Sequence, residues 1–146
     1  MEKNITLSCA ESCTGGHFTD LLVENAGISA VFPGSVVTYS NETKMKLLGV
    51  SEEILDNFGA VSKECAIQMA EGARNLFKTD CAVAITGYAG PEQGENQKNQ
   101  GLVYICVNFK GKIKVAHYIF PQKRVIMQHK SATHAFKILN ELLKSD

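Results

Sequence analysis

A serine beside two glycines is the first feature of this chain that suggests chemistry. Ser12 ends a short apolar segment and is followed by Thr14, Gly15 and Gly16. Glycines allow a ligand to approach the backbone closely, and the first amides of a following helix are unpaired and attract anions. Acyl transfer requires this combination of a hydroxyl nucleophile and donors for an oxyanion. The alternative interpretation is that Ser12 only caps a helix.

A serine nucleophile needs a base, and Lys44 is the best candidate. It lies in the first turns of a predicted helix that follows Tyr39 and Ser40. Lysine serves as a general base when burial, neighbouring cations or a helix N-terminus lowers its pKa, and Ser–Lys pairs are a known variant of the catalytic triad. The Tyr39 hydroxyl would relay a proton or orient the lysine. Alternatively, Lys44 is a solvated helix lysine like Lys46, and Tyr39 is an aromatic residue at the core edge.

The four histidines are weaker candidates for the base. His17 lies one turn into the first predicted helix, and His117 lies in a predicted strand. His129 falls on the apolar stripe of the last predicted helix, which favours a packed side chain over a catalytic one. His134 is predicted to be exposed.

Hydrophobic patterning predicts an α/β protein that positions these residues. Predicted strands lie within 5–10, 31–39, 81–87, 102–109 and 112–120, and predicted helices within 17–24, 40–48, 51 onward, 63–77 and 123–144. The continuous apolar segment 81–87 is typical of a buried central strand. The last two strands form a hairpin, so the sheet is predicted to be mixed. Ligands bind such sheets at the carboxyl ends of strands, where residues 11–16 and 86–91 lie.

Composition narrows the class of protein. The 146 residues fit a single domain spanning 1–146, and 45% hydrophobic residues exclude general disorder. Fifteen basic residues balance fifteen acidic ones, so direct binding to nucleic acid is not expected. No apolar run reaches the ~20 residues of a membrane span. The five cysteines show no zinc spacing and the first residues no secretory signal, which predicts a cytoplasmic protein with reduced thiols.

Several motifs in order resemble the C-terminal domain of the CinA proteins, a family that includes stand-alone nicotinamide-mononucleotide deamidases. They are AESCTGG at 10–16, VVTYSN at 36–41 with Lys44, GAVS at 59–62, AEGA at 70–73, and Thr86-Gly87 with Ala89-Gly90-Pro91. The resemblance covers nearly the whole chain. The larger CinA proteins carry a further N-terminal domain, so the chain is more similar to the stand-alone form.

The resemblance implies an activity, a site and a fold. The activity is hydrolysis of the carboxamide of nicotinamide mononucleotide, with Ser12 as nucleophile and Tyr39 and Lys44 as its activating partners. The fold is a three-layer α/β/α sandwich on a mixed, mostly parallel five-stranded sheet with one antiparallel strand. A homo-oligomer is implied, without metal or organic cofactor. Residues expected to contact the nucleotide substrate or its oxyanion are Thr14, Gly15, Gly16, Thr86, Gly87, Ala89, Gly90 and Arg124.

Three departures from the family pattern leave alternatives open. Residues 92–97 bring two carboxylates, Glu92 and Glu95, towards the expected phosphate region; Ser35 replaces a glycine, and Gln128 replaces a second arginine of the last helix. Two alternatives therefore stand beside the deamidase. One is an amidohydrolase for another small amide, and the other is a non-catalytic nucleotide- or partner-binding protein linked to competence or DNA damage. The segment 86–91 is interpreted equally well as a substrate-binding loop and as a tight turn after a buried strand.

Overall fold

A mixed sheet of five strands forms the centre of the computed structural model, which describes residues 4–89, 101–121 and 123–145. The strands are β1 (Leu7–Glu11), β2 (Gly34–Val37), β3 (Cys81–Gly87), β4 (Leu102–Phe109) and β5 (Lys112–Ile119), in the spatial order β2-β1-β3-β4-β5. β1 pairs in parallel with β2 and β3, whereas β4 is antiparallel to both its neighbours. β4 is thus the one strand that runs against the others, which confirms the predicted sheet.

Helices cover both faces of the sheet. They are α1 (His17–Leu22), α2 (Asn41–Leu48), α3 (Glu52–Phe58), α4 (Lys63–Phe77) and α5 (Arg124–Lys144), with a short 3-10 helix at Ile28–Ala30. One core contains side chains of α1 and α5, and the other contains side chains of α2, α3 and α4. No helix in the described part of the chain is both long and apolar enough to cross a membrane.

Each of the helices α2, α3 and α4, which share one core, begins with a serine N-cap. Ser40, Ser51 and Ser62 each accept a hydrogen bond at 3.1 Å from the backbone amide three residues later. This satisfies one of the amides that the first turn of a helix leaves unpaired. The helix starts predicted at Ser40 and Ser51 are confirmed, and the first of them sets the position of Lys44.

Close packing of α2 against α4 depends on one glycine. A Cβ atom at Gly72 of α4 would lie 2.0 Å from the carbonyl oxygen of Leu48, the last residue of α2. Only a residue without a side chain permits this approach. Gly72 therefore helps to hold α2, and with it Lys44, over the edge of the sheet.

The apolar stripe predicted for α5 is confirmed at Ala132, Phe136, Leu139 and Leu143, which lie in or against the core, and is wrong at Val125 and His129. The buried residues of α5 are Met127, Ser131, Ala132, Ala135, Ile138, Leu139 and Leu142, whereas Val125 is 66% exposed. Ser131 can be buried because its hydroxyl donates to the carbonyl oxygen of Met127 at 2.8 Å. As a result His129 is exposed, and His134 is half-buried with its ring 4.6 Å from that of Tyr118. The predictions for these two histidines were wrong.

Candidate active site

Three parallel strands end at the edge of the sheet where Ser12 lies. Glu11, Val37 and Gly87 are the last residues of β1, β2 and β3. Ser12 continues the pairing of β1, because its amide donates to the carbonyl oxygen of Ile85 at 3.0 Å. The segments that follow these strands therefore meet around Ser12, as is usual for ligand sites in open α/β sheets.

Lys44 lies against the Ser12 hydroxyl. The Lys44 Nζ and the Ser12 Oγ are hydrogen-bonded at 3.1 Å, and the two residues are only 1% and 7% exposed. The same nitrogen donates to the carbonyl oxygen of Thr38 at 2.7 Å and makes a longer contact of 3.5 Å with that of Tyr39. Removal from water disfavours the ammonium form, so burial lowers the pKa of Lys44 below its ordinary value.

These contacts suit a neutral amine that acts as a base. A neutral lysine has two N–H groups and one lone pair. The carbonyl oxygens of Thr38 and Tyr39 can accept both N–H groups, which leaves the lone pair for the proton of Ser12. Such an arrangement can activate a serine for attack on a carbonyl carbon.

Tyr39 reaches Lys44 through its backbone. Its side chain is 64% exposed, and its hydroxyl accepts a hydrogen bond from Arg124 Nη1 at 3.4 Å. No contact of this hydroxyl with Ser12 or Lys44 occurs within the described residues. The structure therefore brings Tyr39 and Arg124 together at the mouth of the site, with the Tyr39 hydroxyl directed to the guanidinium.

The loop after Ser12 contains three amides that have no hydrogen-bond partner in the described part of the protein. The Gly15 amide donates to the Ser12 carbonyl oxygen at 3.1 Å, and the His17 amide to that of Thr14 at 3.0 Å. The three amides without a partner in the described structure are those of Cys13, Thr14 and Gly16, of which Thr14 is fully buried. Gly15 and Gly16 have φ angles of 56° and 107°, which other residues rarely adopt. Of the three predicted oxyanion donors, Gly15 is thus committed to a turn.

Glu11 occupies the N-terminus of α1. This fully buried carboxylate accepts hydrogen bonds from the amides of Phe18 and Thr19, at 2.9 and 3.0 Å, and from the hydroxyls of Thr14 and Thr19, both at 2.6 Å. These helix amides are therefore not available to a substrate anion, contrary to the expectation from sequence. Glu11 therefore caps α1 and makes no hydrogen bond to Lys44 in the described part of the chain.

A cleft of about 200 Å³ opens onto Ser12 and Lys44. Within the described chain its lining includes Ser12, Cys13, Tyr39, Asn41, Lys44, Ala60, Val61, Thr86, Gly87, Tyr88, Ala89 and Arg124. Arg124 is the only residue in that set with a permanent charge, and no carboxylate belongs to the set, so the cleft suits an anionic ligand. Sequence reasoning did not identify Ala60, Val61 and Tyr88, whose apolar or aromatic character carries no distinctive signal.

Thr86, Gly87 and Ala89, at and after the end of β3, form part of the cleft wall but offer no free side-chain N–H or O–H to a ligand. The Thr86 hydroxyl donates to the carbonyl oxygen of Ala60 at 2.8 Å, so its proton is used within the protein. A Cβ at Gly87 would lie 2.7 Å from the Leu102 carbonyl oxygen and 3.1 Å from Cys13 Sγ, which explains the glycine. Ala89 lines the cleft. Gly90 and residues 91–97 lie outside the described residues.

The other departures from the family pattern have local explanations. Ser35 lies in β2 with its hydroxyl 2.8 Å from that of Thr19. Gln128 Nε2 donates to the carbonyl oxygen of Cys13 at 2.9 Å.

Burial raises the pKa of the Cys13 thiol to about 12, which leaves it protonated beside the serine. In the described part of the chain, no group of three His, Cys, Asp or Glu residues could hold a metal ion.

Comparison with known proteins identifies relatives over almost the whole chain. The model of the CinA C-terminal domain family matches residues 1–143. A CinA-like protein from Fervidobacterium nodosum is 45% identical over 139 residues, which are 95% of this chain and 34% of the relative. A CinA-like protein from Pseudothermotoga lettingae is 38% identical over 144 residues, 99% and 36% of the two chains. The chain thus spans about a third of the length of these curated relatives.

Solved structures share the fold. The competence damage-inducible protein A from Klebsiella pneumoniae superposes with a TM-score of 0.92 at 35% identity, covering 97% of this chain and 88% of that one. The competence/damage inducible protein CihA from Agrobacterium tumefaciens superposes with a TM-score of 0.87 at 39% identity, covering 95% and 86%. These similarities agree with the mixed five-stranded sheet described above.

Proposed function

The chain belongs to the CinA C-terminal domain family, and from this premise we propose that it hydrolyses the carboxamide of nicotinamide mononucleotide to nicotinic acid mononucleotide and ammonia. The observation that carries the proposal is the buried Ser12–Lys44 pair, with 3.1 Å between hydroxyl and amine. Burying a lysine without a carboxylate partner among the described residues costs free energy of folding. A catalytic role as a base with a lowered pKa would explain why the protein keeps it.

The first half of the proposed reaction forms an acyl-enzyme. Neutral Lys44 takes the proton of Ser12 as Oγ attacks the carboxamide carbon. The carbonyl oxygen becomes an oxyanion, for which the amide of Cys13 is the available donor, because this residue lines the cleft and its N–H has no partner among the described residues. A single donor of this kind contributes about 3–4 kcal/mol to the transition state. The Lys44 ammonium then returns the proton to the leaving nitrogen, the C–N bond breaks, and ammonia departs.

The second half restores the enzyme. Lys44 is neutral again and takes a proton from a water molecule that attacks the ester carbon of acyl-Ser12. The resulting intermediate breaks its bond to Oγ, which recovers a proton from Lys44. Nicotinic acid mononucleotide leaves as the carboxylate. The same base thus serves both halves, as in other serine hydrolases with one proton carrier.

Binding of the nucleotide is proposed to use the mouth of the cleft. Arg124 and the Tyr39 hydroxyl, 3.4 Å apart, can together bind a phosphate, and the segment that begins at Thr86 and Gly87 borders the same cleft. Self-association in the cytoplasm remains part of the proposal. The exposed side chains of Val125 and Ile126, 66% and 49% accessible at the start of α5, support it.

The test is ammonia release from nicotinamide mononucleotide by purified protein and by Ser12→Ala. We expect turnover in the wild type and a loss of at least about 10³-fold in the variant, since Ser12 Oγ is the hydroxyl that is hydrogen-bonded to the Lys44 amine. Ser29→Ala, at an exposed serine of the 3-10 helix, is the matched control and should retain full activity.

Two outcomes would contradict the proposal. Turnover that survives Ser12→Ala would show that Ser12 is not the nucleophile. A folded wild type that releases no ammonia from this substrate, yet is labelled at Ser12 by a fluorophosphonate probe, would retain the chemistry and exclude the substrate. A panel of other small amides would then be assayed in the same way.

A further inference from the structure

We infer that Tyr88, which directly follows β3, is a specificity-determining residue whose ring binds the face of a cationic pyridinium ring in the cleft. This inference rests on the proposed function and names a residue that selects the substrate of that same site. The observation behind it is that Tyr88 lines the cleft together with Ser12 and Lys44, while both hydrogen-bonding groups of its backbone are held by the start of β4.

A β-bulge fixes the backbone of Tyr88. Its amide donates to the carbonyl oxygen of Leu102 at 2.9 Å, and its carbonyl oxygen accepts from the amide of Gly101 at 2.7 Å, so that two residues oppose one. Gly101 has a φ of 87°, and a Cβ there would lie 2.2 Å from the Phe120 carbonyl oxygen. Glycine in this conformation is typical of one class of bulge, and bulges next to active sites direct a side chain. Tyr88 is therefore held by paired backbone and not by a free loop.

The charges around the cleft leave a cationic ring without an ionic partner. Nicotinamide mononucleotide carries a positive charge on its pyridinium ring and negative charge on its phosphate. No carboxylate belongs to the set of described residues that line the cleft. Burial lowers the pKa of Lys44, and only the neutral amine would avoid repelling the ring. The negative face of an aromatic side chain is then the group that can attract the cation.

Of the two aromatic residues that line the cleft in the described chain, Tyr88 is the better placed. Tyr39 is 64% exposed, and its hydroxyl accepts from Arg124, whose charge attracts the phosphate and repels the pyridinium. Tyr88 is half-buried and follows Thr86 by two residues, which places both on one face of the extended chain. The Thr86 hydroxyl donates to Ala60, another residue of the cleft wall. The two tyrosines thus divide the cleft into a phosphate end and a ring end.

The experiment measures ligand binding by titration calorimetry in Ser12→Ala, which lacks the proposed nucleophile and serves as the parent. The probes are nicotinamide mononucleotide and its reduced form, which keeps the carboxamide, ribose and phosphate but has a ring that is neither charged nor aromatic. We expect the parent to bind the oxidised form about tenfold more tightly than the reduced one.

Two further substitutions in this parent isolate the ring of Tyr88. Tyr88→Leu should weaken binding of the oxidised nucleotide by about 5- to 30-fold and remove the preference over the reduced form. Tyr88→Phe keeps the aromatic face and should stay within about threefold of the parent. Phe58→Leu removes an aromatic ring that is 52% exposed and outside the cleft lining, so it is the control and should change neither Kd.

Several results would overturn the inference. They are equal affinity of the parent for the two nucleotides, unchanged binding in Tyr88→Leu, or a loss in Tyr88→Phe as large as that in Tyr88→Leu. The first of these results does not depend on how well either Tyr88 variant folds.

Ammonia release by the wild type tests the proposed function separately. If the parent shows the expected preference and the wild type releases no ammonia, the proposed hydrolysis fails and the role of Tyr88 stands. If ammonia is released and the parent shows no preference, the role of Tyr88 fails alone. Absence of both binding and turnover would overturn both.

Discussion

Two buried ionisable groups lie on opposite faces of the sheet at the end of β1, and they differ in how completely they are hydrogen-bonded. The Glu11 carboxylate accepts four hydrogen bonds of 2.6–3.0 Å, two on each oxygen. The Lys44 amine has one short hydrogen bond to a carbonyl, one to Ser12 and one long contact of 3.5 Å. Both charges are removed from water, but only Glu11 is fully compensated within the described structure.

The difference supports a structural role for Glu11 and the catalytic role proposed for Lys44. Consecutive residues of a strand point to opposite faces, so Glu11 and Ser12 are directed to different helical layers. On the α1 face the fixed donors stabilise a charged carboxylate. On the α2 face the sparse contacts leave Lys44 able to change its protonation state beside Ser12. A buried ionisable group with few hydrogen bonds is therefore a better indicator of the proposed reactive site than one whose hydrogen bonds are complete.

Among the variants that compare Glu11 with Lys44, the largest expected effect is the loss of activity in Lys44→Met. Removal of a general base lowers kcat by about 10³-fold. The unfolding free energy should change by only about 1 kcal/mol, because loss of an uncompensated buried amine offsets the unpaired Thr38 carbonyl. Steady-state kinetics and denaturant melts measure the two quantities. Lys46→Met, an exposed lysine of the same helix, is the matched control and should resemble the wild type in both. If Lys44→Met were strongly destabilised while its folded fraction kept wild-type activity, Lys44 would have the structural role and not the catalytic one.

Glu11→Gln should show the opposite pattern. The amide NH2 of glutamine would face N–H and O–H donors, so we expect a loss of about 2–4 kcal/mol in the unfolding free energy. At this chain length that corresponds to a decrease of about 4–16 °C in melting temperature. Activity measured well below the transition should fall less than that of Lys44→Met. The exposed Glu24→Gln serves as the control, and an unaltered melting temperature in Glu11→Gln would remove the structural role assigned to this carboxylate.

The pH dependence of kcat/KM should follow the ionisation of Lys44. Only the neutral amine accepts the Ser12 proton, so the rate should rise about tenfold per pH unit until the lowered pKa of Lys44 is passed. Because burial lowers that pKa, the plateau should begin below 10.5, the ordinary lysine value. Burial raises the pKa of the neighbouring Cys13 and Cys65 thiols to about 12 and about 11, so neither titrates in this range. A rate that falls with increasing pH would require the ammonium as the active form.

The smallest expected effect is that of Tyr39→Phe. The hydroxyl lies against Arg124, and the contact with Lys44 is through the backbone, which the substitution preserves. We expect kcat to change by less than about threefold, with a modest rise in KM from the loss of a phosphate donor. A fall in kcat of about 100-fold would instead place the hydroxyl in the proton transfer, as the family resemblance implies.

Local features of the fold were predictable from sequence, because they depend on residues a few positions apart. The strand at 81–87 and the helix at 63–77 occur with the predicted bounds, and the serine caps at Ser40 and Ser51 act on amides three residues away. The extent of α5 was predicted, and so was its apolar stripe from Ala132 to Leu143, whereas the predicted burial of Val125 and His129 was wrong. Periodicity identifies a helix, but which face is buried also depends on whether a polar residue such as Ser131 finds a partner.

The sequence by itself determined which groups were available for chemistry: a serine beside two glycines, and a lysine in the next helix but one. Their separation of 3.1 Å, across 32 residues, follows only from the parallel pairing of β1 with β2 and the packing of α2. The four contacts of Glu11, the direction of the Tyr39 hydroxyl and the contact of Gln128 with Cys13 were likewise decided by tertiary structure. Hydrogen bonds between distant residues depend on how whole elements pack, and neither residue type nor spacing along the chain records that packing.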